Sequence, residues 1–66
     1  MYAMINGTRT ELPDGLDVLG LVRFAALSPD TVVVEVNGCI IERAGYDQTM
    51  LKNGDQVEIV SFVGGG

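Results

Sequence analysis

Gly54-Asp55-Gln56-Val57-Glu58-Ile59-Val60-Ser61-Phe62-Val63-Gly64-Gly65-Gly66 joins a tight turn, a strand and an end without side chains, and its reading decides the fold. Asn53-Gly54-Asp55 is the turn. It launches a strand, Gln56 to Val63, that runs straight into the glycines with no Ser-rich or charged linker between them. A glycine end has no side-chain chemistry. Its reactive group is the carboxylate of Gly66, and without Cβ atoms the backbone can extend, bend and enter a channel too narrow for other residues. A Gly-rich end is ordinarily a frayed tail; the direct junction with a hydrophobic strand favours a functional one. Gly65 and Gly66 are then expected to be poorly ordered in the free protein, because a free terminus offers glycine no packing in return for its entropy.

Outward from that strand, the chain reads as further strands around one helix. Met1 to Ile5 is a short apolar segment ending at Asn6-Gly7, the dipeptide that best tolerates positive φ at both centres of a hairpin turn, and Thr8 to Leu12 returns. Pro13, Asp14 and Gly15 break the strand. Asp17 can accept from the free N–H groups of a helix start, and Val18, Leu21, Val22 and Ala25 follow at i, i+3, i+4 and i+7 as one buried face. Gly20 weakens that helix by up to ~1 kcal/mol relative to Ala, so packing must hold it. Ser28-Pro29-Asp30 is expected to end it. Thr31 to Val36 is β-branched almost throughout and predicts a strand; Asn37-Gly38 repeats the hairpin signal, with Cys39 to Ile41 returning. Glu42 to Lys52 is irregular, anchored by Tyr46 and Leu51. The order predicts an α+β fold, a mixed sheet with the helix packed across one face.

Period-two alternation sorts the strands into two faces. Ala3, Ile5, Val34, Val36, Val57 and Ile59 should point at the helix, leaving Met4, Val33, Glu35, Glu58, Val60 and Phe62 on an outer face open to water. Exposed Val and Met are ordinary on small β domains, but an apolar patch beside two carboxylates, with Phe62 on the strand that delivers the glycines, fits a protein contact.

Composition narrows the function. At 66 residues the chain makes one domain, expected over 1–63 with a tail at 64–66, and only about 60% of the unfolded surface is buried at this size. That leaves little room for a catalytic cleft. The absence of His removes the commonest general base and metal ligand. Asp14 and Asp17 read as helix-start residues, and Asp47 and Asp55 as turn residues. Cys39 lacks a base or cationic cluster that would activate a thiol, and reads as structural or incidental. Nine acidic and four scattered basic residues give a net charge of −5, which disfavours nucleic acid and favours encounter with a basic protein surface. No apolar run is long enough for a membrane span and no signal segment is evident, so the expected setting is cytoplasmic.

With turns, element order and glycine end in hand, the sequence resembles the ThiS family of thiamine-biosynthesis sulfur carriers, small ubiquitin-like β-grasp proteins. The resemblance is carried by Ile5-Asn6-Gly7, Val36-Asn37-Gly38 with Ile41 and Arg43, Tyr46, Leu51, Gly54 through Val60, and Phe62-Val63-Gly64-Gly65-Gly66. Where the family usually opens its helix with Thr, this chain has Asp17, and either can cap. A common Leu-Leu pair on the helix is here Leu21-Val22.

The resemblance implies a β-grasp fold with four to five strands and a protein co-substrate rather than an enzyme. It implies that a ThiF-like adenylating enzyme, using ATP and Mg²⁺, activates the Gly66 carboxylate. A sulfur donor such as a cysteine desulfurase then converts it to a thiocarboxylate, and a ThiG-like thiazole synthase takes the sulfur. Gly64 and Gly65 would thread into the partner's active site, with Met4, Val33, Val60 and Phe62 docking and Glu35 and Glu58 as rim charges; no metal or cofactor would be held by this chain. Two other readings keep the same fold. One is a carrier for molybdopterin or another sulfur pathway, doubling as a protein modifier; the other is a non-covalent β-grasp interaction or nucleotide-binding module that never uses its terminus.

Overall fold

The Asn-Gly pairs at 6–7 and 37–38 take positive φ at both residues, +48° and +82° in the first and +50° and +85° in the second, the geometry that folds two strands back on each other with their natural twist. The computed structural model describes residues 1–62. Val63, the end of the expected strand and domain, and Gly64, Gly65 and Gly66 lie outside the described residues. The first pair joins β1 (Tyr2–Ile5) to β2 (Thr8–Glu11), and the second joins β3 (Val32–Val36) to β4 (Cys39–Ile41). At Asn53-Gly54 only Gly54 is positive, at +87°, and this turn leads into β5 (Gln56–Ser61).

The described residues form a five-stranded sheet in the order β2-β1-β5-β3-β4. β5 pairs parallel with β1 and antiparallel with β3, so the last strand in sequence is the middle strand in space. This mixed sheet, with one α-helix, is the β-grasp arrangement.

That helix, α1 (Val18–Phe24), is only seven residues long, well short of the ~12–15 that persist alone in water. Tertiary burial therefore holds it: Val18, Leu21 and Val22 are fully buried against Val34 and Val57 of the sheet, and each such side chain is worth roughly 1.5–3 kcal/mol out of water. Asp17 caps the helix by accepting from the Gly20 N–H at 2.7 Å. Gly20 has a packing role beyond its weak propensity, because a Cβ there would lie 2.7 Å from Leu16 Cδ2 and 3.2 Å from the capping Asp17 carboxylate.

Two expectations for the helix need correction. Ala25 is exposed and caps the helix instead of continuing its buried face. The stop comes at Ala26, whose φ is +60°, before Ser28-Pro29-Asp30. There the Leu27 N–H donates to the Val22 carbonyl at 3.0 Å and the Ala26 N–H to the Arg23 carbonyl at 2.9 Å, a Schellman closure. Ser28 instead caps a single 3₁₀ turn, Pro29–Thr31, accepting from the Asp30 N–H at 3.2 Å.

The stretch read as irregular contains a 3₁₀ segment, Arg43–Gln48. Tyr46 and Leu51 anchor it in the core as expected, with the Tyr46 hydroxyl donating to the Val32 carbonyl at 3.3 Å. Alternation also holds. Ala3, Val34, Val57 and Ile59 are buried, and Ile5 and Val36 are half-buried against the same core.

Candidate functional site

β5 needs support on both sides if the chain beyond it is to leave the domain in a defined direction. Side chains add to the support given by the ladders with β1 and β3. β1 pairs with β5 at Met4↔Gln56 and Ile5↔Val57, and the Asn6 side chain adds another rung by bonding both backbone groups of Ile59. On the other flank Asn37 accepts from the Gln56 N–H at 3.0 Å and donates to the Asp55 carboxylate at 3.0 Å. The other Asp55 oxygen accepts from the Lys52 N–H at 2.7 Å. Asp55 is thus a buried turn clasp.

The far end of β5 is held as well. Ser61 lies opposite Val32, and the Phe62 N–H donates to the Thr31 carbonyl at 2.7 Å. The chain is hydrogen-bonded to the domain up to Phe62, the residue before Val63.

The outer face of the sheet presents the side chains expected of it. Val33 lies directly across from Val60, and Glu35 directly across from Glu58. Phe62 is 67% exposed and Val60 50%; Met4 is half-buried, between Arg9 and Gln56 on its flanking strands. Ile40 belongs to this face too. It lies opposite Glu35 on β4 and is 69% exposed. Period-two counting over Cys39–Ile41 would have placed it there, but three residues make a weak pattern.

Several other charged groups have structural partners. Asp14 bonds the Met1 ammonium at 2.8 Å; that hydrogen bond, and the attraction of the positive charge, hold its carboxyl below the usual value. Arg43 pairs with Asp30, and Arg9 pairs with Glu11 while lying 4.0 Å over the Tyr2 ring. Cys39 is exposed on the edge strand β4. Among the described residues no three His, Cys, Asp or Glu side chains are grouped to hold a metal ion, and no helix is long and apolar enough to cross a membrane.

A model of the ThiS family matches residues 3–66, nearly the whole sequence including the glycine end. The chain belongs to the ThiS family. Among solved structures it is similar to the thiamine biosynthesis protein ThiS of Geobacter metallireducens. The crystal structure of that protein matches with a TM-score of 0.84 at 35% identity over all of both chains. The solution structure of a thiamine biosynthesis protein from the same organism gives 0.85 at 35% identity, over all of this chain and 88% of that one. The fold of this ThiS-family member is thus shared at a level where the sequence also agrees. Among curated proteins it is 34% identical over 66 residues to a thiazole synthase of Magnetococcus marinus. It spans 20% of that protein's length.

Proposed function

We propose that this ThiS-family chain, a sulfur carrier in thiamine biosynthesis, carries the sulfur as a thiocarboxylate on Gly66. A carboxylate is a poor electrophile until one of its oxygens joins a good leaving group. A ThiF-like adenylating enzyme, supplying the ATP site and Mg²⁺, would couple the Gly66 carboxylate oxygen to the α-phosphorus of ATP and release pyrophosphate. A persulfide sulfur, delivered by a donor such as a cysteine desulfurase, would then attack the acyl carbon and expel AMP. Reductive cleavage of the S–S bond by a thiol would leave the thiocarboxylate. A thiazole synthase would be its consumer, in keeping with the partial match to a much longer protein of that name.

The observation that carries this reading is the position of β5. It is the central strand, clamped by Asn6 and Asn37 and bonded through Phe62, and it leads to the residues with which the family match ends. The docking surface proposed for the partners is the outer face bearing Met4, Val33, Val60 and Phe62, rimmed by Glu35 and Glu58, with Gly64 and Gly65 passing into the partner's active site.

Intact-mass measurement of the protein purified from its own cells tests the proposal. A species heavier by the difference between a sulfur and an oxygen atom, lost on alkylation or hydrolysis, is expected. A single unmodified mass from cells actively making thiamine would count against it.

A further inference from the structure

We infer that the outer sheet face receives a surface of the adenylating enzyme bearing an arginine or lysine set opposite the Glu35–Glu58 pair, beside an apolar area that meets Val33, Val60 and Ile40. The inference rests on the carrier reading and specifies the chemistry of its docking partner.

Glu35 and Glu58 are directly opposed across β3 and β5 on the solvent side of the sheet, a position in which Cβ atoms lie about 4.5–5.5 Å apart and like charges destabilise the pair. Neither has an ion-pair partner among the described residues. Arg9, on the same face two strands away from β5, is engaged by Glu11 and the Tyr2 ring. The uncompensated carboxylates are bordered by apolar side chains. Val33 and Val60 form the next outward-facing pair along the strands, and Ile40 lies beside Glu35 on β4. A partner that covers those side chains brings its cation up to the carboxylates at the wet edge of the contact, where the attraction acts from solution and is screened by salt. Arginine's planar fork can address two carboxylates at once. The net charge of −5 acts in the same direction at long range.

The test is binding of the E35Q/E58Q variant to the purified adenylating enzyme across a range of salt concentrations, alongside thermal unfolding of the free protein and adenylation of the wild type. The variant should unfold at a higher temperature, because an unfavourable pair is gone. Its affinity at low salt should fall about tenfold, the gap narrowing as salt rises, and E35K/E58K should lose about a hundredfold. Wild-type affinity in E35Q/E58Q at every salt concentration, or a loss that salt does not change, would overturn the inference while leaving the carrier reading intact. A wild type that the enzyme does not adenylate would overturn both.

Discussion

The side-chain amide of Asn6 closes a ring with the backbone of Ile59, donating through Nδ2 to its carbonyl at 3.1 Å and accepting its N–H through Oδ1 at 2.8 Å. The residue that makes the first hairpin turn is therefore also a rung between β1 and β5. Replacement separates the two roles. Asn6→Gly keeps the positive φ and loses the rung, which should cost about 1 kcal/mol; Asn6→Ala should cost about 1 kcal/mol more, for a Cβ in the left-handed region. Chemical denaturation reads both, and wild-type stability in Asn6→Gly would deny the rung any energetic weight.

Asp55 should be less replaceable than a turn aspartate in solvent. Asp55→Ala leaves the Lys52 N–H and the Asn37 amide without their acceptor, and an unsatisfied, partly buried donor costs about 1–3 kcal/mol. Amide exchange at Lys52 should accelerate in the variant, and exchange at the wild-type rate would show that the clasp is not needed.

Ala26 sits where helix C-termini usually place glycine. Its φ of +60° is unfavourable for a residue with a Cβ, so Ala26→Gly should stabilise the protein by about 1 kcal/mol although glycine is the poorer helix former. A lower unfolding midpoint in this variant would contradict the closure described at Leu27 and Val22.

Much of this architecture is legible in the sequence because it is local. The spacing of Val18, Leu21 and Val22 marks the buried helix face, alternation along β3 and β5 assigns the two sides of the sheet, and the Asn-Gly pairs announce their turns. What escapes sequence reading depends on distant partners or on rare conformations. The Asn6 rung joins residues 53 apart, so the turn signal is visible and its second role is not. Ala25 fits the helical period, but the helix has already closed on an alanine at Ala26, where alanine gives no warning of positive φ. Ile40 lies on a strand too short to show a period. The chemistry expected of Gly64, Gly65 and Gly66 follows from family resemblance, since glycine carries no side chain from which a role could be read.

Val60 and Phe62 should matter for association and little for folding. Both are at least half exposed, so Val60→Asp and Phe62→Asp should leave the unfolding midpoint nearly unchanged. Each should weaken binding to the adenylating enzyme by about 2 kcal/mol, the scale of an interface anchor. Normal binding by both variants would move the docking surface elsewhere.

In the proposed carrier the reacting group is the Gly66 carboxylate, held at a set reach from β5. ATP–pyrophosphate exchange catalysed by the adenylating enzyme tests this claim most directly, with wild type compared against a chain lacking Gly66 and a chain extended by one alanine. Both variants should fall to background while their unfolding midpoints match wild type, because the carboxylate would fall short of the partner's ATP site in one and overshoot it in the other. Wild-type exchange in either variant would contradict the claim.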